Sequence, residues 1–150
     1  SMSPDNISVL DSQSSDKIRS LQVIVGIESV VKELIENALD SNSKNINLRF
    51  QEYGLERIEV SDDGNGIKDI DIEKIGLRSF TSKMHLDDDL CKIRTYGYRG
   101  EALASLANTS KLTIITRHSL SSLATKIEYN KGCVVSRSEI ARELGTTVIV

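Results

Sequence analysis

The chain is poor in the residues that announce a chemistry by themselves. It holds two cysteines, Cys91 and Cys133, too far apart for a metal-binding pair. Two thiols in 150 residues suit a reducing compartment better than a disulfide-stapled secreted domain. One proline and nine glycines give no sign of disorder. No apolar run approaches the roughly 20 residues of a membrane span. No secretory leader stands at the start, and the opening Ser1-Met2 reads as a cloning scar. A net charge of −3 argues against strong nucleic-acid binding by this segment alone, though not against a local basic patch in a longer protein. Three well-known motifs are missing: the Walker phosphate loop, the Gly-x-Gly-x-x-Gly dinucleotide fingerprint and the His-Glu-x-x-His zinc site. His85 and His118 have no evident partners and read as surface residues, and nothing singles out a catalytic nucleophile. What remains is 39% hydrophobic, enough for one domain with a core, without internal repeats.

The most informative stretch runs from Val30 to Asp40. At 100° per residue, Val30, Val31, Leu34, Ile35, Ala38 and Leu39 cover one broad helical face. Glu33, Asn37 and Asp40 form a narrow polar stripe on its border, with Lys32 and Glu36 towards solvent. A solvated helix places its charges opposite the apolar face, not along its edge. Read alone, this stripe is either a polar flank bonded to a loop or a functional edge.

The rest of the chain divides by periodicity. Residues 3 to 16 are polar and read as a flexible lead-in, so the organised unit spans 17 to 150. Leu21, Val23, Ile24, Val25 and Ile27 make an apolar approach to the first helix, with Ser29 a candidate N-cap. Asn42 suits a left-handed residue closing the helix. Asn45 to Gln51 alternates as a half-buried strand, Glu52-Tyr53-Gly54 turns, and Arg57 to Val60 completes a hairpin. Residues 68 to 78 read as helical, Asp87 to Ile93 as a short helix, and Glu101 to Ala107 as another. Strands are expected at Lys111 to Arg117, Leu123 to Tyr129, Cys133 to Ser136 and Thr146 to Val150. Helices with hairpin-linked strands predict an α+β, two-layer sandwich of helices on a mixed, mostly antiparallel sheet.

Several pieces carry chemistry. Asp62-x-Gly64-x-Gly66 follows a strand directly; it is either a tight turn or a place where backbone approaches a ligand. A buried aspartate only accepts hydrogen bonds when ionised, which matches the 6-amino group of adenine. Gly97-Tyr98-Arg99-Gly100-Glu101-Ala102-Leu103 is a glycine-bearing loop entering a helix, an ordinary connection or an anion site. Thr81-Ser82-Lys83 and Gly145-Thr146-Thr147 are uninformative alone.

Taken together and in order, Glu33-x-x-x-Asn37, Asp62-x-Gly64-x-Gly66, the Gly97 to Leu103 loop and Gly145-Thr146-Thr147 resemble the four nucleotide-binding motifs of the GHKL ATPase superfamily. That superfamily includes DNA gyrase B, Hsp90, histidine kinases and MutL mismatch-repair proteins. Arg99-Gly100-Glu101-Ala102-Leu103 resembles the MutL form, with Tyr98 in place of phenylalanine. Thr81-Ser82-Lys83 also resembles MutL. Ile18-x-Ser20-x-Gln22-Val23 and Ile58-Glu59-Val60-Ser61-Asp62 resemble its eukaryotic PMS branch. Two positions depart from the pattern: Leu21 stands where glycine is usual, in a segment tied to dimer closure, and Ser41-Asn42 replaces Ala-Gly.

The resemblance implies the Bergerat ATP-binding fold and, in the full-length protein, a Mg2+-dependent ATPase in the nucleus, with ATP and Mg2+ as cofactors; this fragment by itself is expected to bind ATP with little or no hydrolysis. By resemblance, Glu33 is the general base for the attacking water and Asn37 the magnesium ligand. Asp62 reads adenine, Gly64 and Gly66 leave room for base and ribose, and Thr147 supports the adenine side. Thr81, Ser82 and Lys83, with Gly97, Arg99, Gly100, Glu101, Ala102 and Leu103, meet the phosphates as a lid. The implied partners are an MLH-type MutL subunit in a heterodimer and MutS-type mismatch recognition proteins, with DNA held weakly and mainly through other parts. The family pattern continues into a second, transducer domain that supplies a lysine, so the chain is expected to be truncated before it. Two alternatives stay open: a nucleotide-binding switch without significant turnover, and another GHKL ATPase.

Overall fold

The structure, a computed structural model, describes residues 12–75 and 99–150. A six-stranded sheet carries helices on one face. In chain order the elements are helix α1 (Ser12–Asp40), β1 (Ile46–Gln51), a 3₁₀ turn (Glu52–Gly54) and β2 (Arg57–Asp62). A helical stretch at 69–75 follows, then α2 (Arg99–Thr109), β3 (Lys111–Arg117), β4 (Ala124–Asn130), β5 (Cys133–Ile140) and β6 (Gly145–Ile149). The strand order is β1-β2-β6-β3-β4-β5. All five pairings among the described strands are antiparallel, in keeping with the mostly antiparallel sheet expected from the sequence.

The core follows from strand alternation. Ile58 and Val60 of β2, Leu112 and Ile114 of β3, Ile127 and Tyr129 of β4 and Val148 of β6 point to the helical side. Leu34 from α1, Leu103 and Ala107 from α2, and Ile67, Ile72 and Ile75 pack onto them. β6 arrives last in the chain yet lies centrally, between β2 and β3. Its insertion brings the end of β2 beside the end of β3, and the candidate site forms there.

Helix α1 differs most from expectation. It is one continuous helix from Ser12, running through the expected lead-in and past Ser29, which caps nothing. Once a helix is nucleated against a core, each further residue costs little. Leu21, a strong helix former, occupies the position where the related pattern has glycine, a residue roughly 1 kcal/mol worse in a helix. The extension is not packed: Leu21 and Val25 are each 61% exposed. The apolar run from Leu21 to Ile27 therefore belongs to the helix, and only Ile27 within it packs on the core.

The other end of α1 closes as expected. Asn42 takes a left-handed backbone, φ 61°. The Ser43 N–H donates to the Ala38 carbonyl at 3.4 Å, and the Asn42 N–H to that of Leu39 at 3.1 Å. That pair of bonds is a Schellman motif. The Ser41 and Ser43 hydroxyls also donate to the Ala38 carbonyl, at 2.9 and 2.6 Å.

Asp63 ties this helix end to the end of β2. Its Oδ1 accepts the Lys44 and Asn45 backbone N–H groups at 2.8 and 2.9 Å, and its Oδ2 accepts the Asn45 side-chain amide at 2.9 Å. These donors, Asn45 first, lower its pKa from 3.8 to about 2. A depressed carboxylate pKa stabilises the fold above the unfolded value and loses that contribution as pH falls through the folded one. The stability difference between wild type and Asp63→Asn should therefore be full at pH 5 and shrink between about pH 4 and pH 2. Urea unfolding of both proteins across that window measures it; a constant difference means the carboxylate charge does not hold this junction.

Candidate nucleotide site

The site lies at the open end of the sheet where β2, β6 and β3 finish or begin. The polar edge of α1 leads to it. Glu33 is exposed, Asn37 half-buried, and Ser41, one further turn along the same edge, is buried. Ser41 meets the glycine loop after β2: its carbonyl accepts the Asn65 N–H at 2.9 Å. A Cβ on Gly64 would stand less than 3.0 Å from the Ser41 hydroxyl and carbonyl oxygens. The stripe containing the candidate base and metal ligand thus ends against the loop containing the candidate adenine acceptor.

Asp62 is buried at the last position of β2, on the helical side with Ile58 and Val60. Its Oδ1 accepts the Gly64 N–H at 2.9 Å, which sets the rotation of the carboxylate. Gly66 has φ +74°, and a Cβ there would overlap the Arg117 carbonyl and the His118 nitrogen. Both glycines were expected to make room for base and ribose. In the structure the space each keeps free of a side chain is filled by protein: Ser41 for Gly64 and the end of β3 for Gly66. They let the loop lie flat on the helix end and on β3.

Strand register redistributes the two threonines. Thr146 stands opposite Asp62 and Thr147 opposite Ser61. Neighbouring residues on a strand face opposite sides, so Thr146 shares the face of Asp62. Thr147 lies behind the sheet, bonded to the Ser61 hydroxyl at 2.9 Å. Thr147, expected on the adenine side, thus lies on the sheet face opposite the Asp62 side chain, and Thr146 is the threonine that shares the face of Asp62. Thr146 is 1% exposed and shares a 2.8 Å hydrogen bond with the Thr116 hydroxyl. Thr116 in turn accepts the Ile67 N–H at 2.8 Å, fastening the chain beyond Gly66. Thr116 was missed by sequence reasoning. Its one signal is a hydroxyl at a core-parity position of an otherwise apolar strand face, after Leu112 and Ile114.

Helix α2 begins at Arg99, two residues before the expected start, so Arg99, Gly100 and Glu101 form its first turn. The first backbone N–H groups of a helix lack partners within it and suit anions. Ala102 is half-buried, and Leu103 is a core residue that anchors the helix instead of lining a lid. Thr81, Ser82, Lys83 and Gly97, like the short helix expected at Asp87 to Ile93, lie outside the described residues.

The donor set bears on the metal. Among the described residues, no group of three or more His, Cys, Asp or Glu could hold an ion. Mg2+ does not need one: it keeps waters and takes one or two protein oxygens together with phosphates. The Asn37 amide oxygen, on the helix edge leading to the loop, fits that role.

Comparison with known proteins agrees with this geometry. Residues 25–144 match the family described as histidine kinase-, DNA gyrase B-, and HSP90-like ATPase. The chain is 43% identical over 135 residues to DNA mismatch repair protein PMS1 of Saccharomyces cerevisiae, covering 89% of this chain and 15% of that protein. It is 39% identical over 145 residues to mismatch repair endonuclease PMS2 of Homo sapiens, covering 96% and 17%. Against DNA mismatch repair protein MutL of Macrococcus caseolyticus the identity is 42% over 144 residues, covering 96% and 23%. The chain thus spans less than a quarter of the length of these relatives. A crystal structure of the N-terminal domain of a DNA repair protein superposes with a TM-score of 0.66 at 40% identity, covering 95% of this chain and 41% of that one. The ADP-complexed MutL ATPase domain of Aquifex aeolicus, at 23% identity and a TM-score of 0.56 over 81% of this chain and 40% of that one, shares the fold. Sheet, helix edge, glycine loop and sequence lead to one assignment: the chain belongs to the histidine kinase-, DNA gyrase B- and HSP90-like ATPase family, on its MutL and PMS side.

Proposed function

We propose that this chain is the ATP-binding and ATP-hydrolysing part of a PMS-type mismatch repair protein, acting in the nucleus beside an MLH-type subunit. The observation that carries the reading is the meeting of the α1 edge with the Asp62 loop through Ser41 and Gly64. It joins the helix edge that carries Glu33 and Asn37 to the loop that follows the buried Asp62.

Asp62 accepts the adenine amino group, with Thr146 and Thr116 completing that polar wall. Asn37 would supply an oxygen to Mg2+, which when bound would neutralise charge on the phosphates. Glu33, one turn earlier on the helix, takes the proton of the attacking water. The first turn of α2 offers N–H groups to phosphate, and Thr81, Ser82 and Lys83 add hydroxyls and a cation. Phosphoryl transfer needs mainly positioning and charge stabilisation, so this set of groups suffices in kind. The similarity to PMS1, PMS2 and MutL supports the repair context; the heterodimer, MutS-type partners and weak DNA contact belong to the proposal.

Base selectivity tests the reading. Guanine presents a carbonyl where adenine presents its amino group, so Asp62 would face another acceptor. The unmade bond costs about 1–3 kcal/mol, or roughly 5- to 150-fold in affinity. Calorimetry with ATP and GTP in the presence of Mg2+ should show that preference. Equal affinity would take adenine recognition away from Asp62.

A further inference from the structure

Behind the sheet, directly under Asp62, lies an arginine that the ATPase reading leaves unused. Arg142 sits in the connection between β5 and β6 and is half-buried. Its Nη2 donates to the Thr147 hydroxyl at 2.9 Å, the Ser61 hydroxyl at 3.2 Å and the Asp62 carbonyl at 3.3 Å. Its Nη1 donates to the Glu143 carbonyl at 2.9 Å. The Arg142 backbone is held in turn: Arg117, at the end of β3, donates from Nη1 to the Arg142 carbonyl at 3.0 Å and from Nε to the Ser121 carbonyl at 3.1 Å. Two arginines therefore link the ends of β3, β6 and β2, and the last acceptor in the chain is the main-chain carbonyl of the candidate adenine reader.

The position of that carbonyl is tightly set. A Cβ on Gly145 would overlap the Asp62 carbonyl, and Gly145 has φ +128°. The start of β6 thus lies close against the Asp62 backbone, Arg142 holds it from behind, and the Gly64 N–H bonds its carboxylate in front. Burial pushes the Arg142 guanidinium below its ordinary pKa, and the Asp62 charge opposes that shift. A partly desolvated cation is an expensive way to join two hydroxyls, which a neutral side chain could do at less cost. Its geometry makes more sense as a brace on the residue it borders.

We propose that Arg142 is a positioning residue for base recognition: by bonding Ser61, Thr147 and the Asp62 carbonyl, it holds the Asp62 carboxylate at the distance that the 6-amino group of an adenine nucleotide requires. The inference rests on Asp62 being the adenine reader.

The test compares ATP with purine riboside triphosphate, which lacks the 6-amino group, by calorimetry on the full chain. Wild type should prefer ATP, and Asp62→Asn should lose the preference; if either fails, the reading of Asp62 itself falls, and this inference with it. Given those two results, Arg142→Gln should weaken ATP about five- to tenfold while changing the analogue less than about twofold. In the Asp62→Asn background it should add nothing, because a brace acts only through the residue it braces. Equal losses for both nucleotides would mean that Arg142 merely supports the fold, and no loss would mean that it supports nothing at the site; either overturns the proposal. Should Arg142→Gln not fold, Thr147→Val removes one of its acceptors and should show the same selective loss, with Thr147→Ser restoring ATP affinity. Failure of that pair to differ is equally decisive against it.

Discussion

In the longer protein that includes the expected second domain, replacing Glu33 with alanine should remove ATP hydrolysis and leave ATP bound. Glu33 is exposed on the α1 edge, one turn from Asn37 and beside the buried Leu34. In the proposed mechanism it serves the attacking water, which is no part of the bound nucleotide. Loss of a general base slows the chemical step by about 10²–10⁴-fold, or roughly 3–5 kcal/mol of barrier. Binding should hold or tighten slightly, because one anion near the triphosphate has gone. Asn37→Ala should lose affinity and rate together, since the metal serves both. Single-turnover rates and dissociation constants for the two variants separate these outcomes. Wild-type hydrolysis by Glu33→Ala would place the base elsewhere and undo the reading of this helix.

Gly66→Ala should cost about 2–5 kcal/mol of stability. Alanine at φ +74° carries the left-handed penalty of about 1–2 kcal/mol. Its methyl would also stand under 3.0 Å from backbone atoms of Arg117 and His118, which cannot rotate away. Overpacking of that kind adds about 1–3 kcal/mol. Together this is a large share of the roughly 5–15 kcal/mol that holds a domain folded, and the thermal midpoint should fall by about 10 °C. Gly26→Ala is the matched control. Gly26 lies inside α1, exposed, with nothing within 4 Å of a Cβ, so the same methyl should stabilise by about 0.5–1 kcal/mol. Differential scanning calorimetry on the two variants should give shifts of opposite sign. A neutral Gly66→Ala would mean that the loop moves off β3 freely, and the clasp described between them would not exist.

Much of this molecule is local and therefore legible from residue order alone. The β1–β2 hairpin follows from period-two alternation on either side of Glu52-Tyr53-Gly54. The end of α1 follows from Asn42, because few residues other than glycine tolerate a left-handed backbone, and its φ of 61° bears that out. The family emerged from four short motifs in order, each weak alone. Where α1 starts was not legible: its first half packs on little, so no apolar periodicity marks it, and helix continuation decided the matter. Which threonine joins Asp62 was not legible either. Thr146 and Thr147 are adjacent and chemically alike, and only the pairing of β6 with β2, some 85 residues earlier, assigns them opposite faces. The reason for two glycines became visible only when Ser41 and the end of β3 were seen against them. Arg142 carried no signal at all, because its partners Ser61 and Asp62 lie 81 and 80 positions away. Residue order determines which groups are present and which turns are permitted, since backbone preferences act over a few residues. Which side chains converge on Asp62 is decided by strand register, a long-range property that appears only once β6 has slotted between β2 and β3.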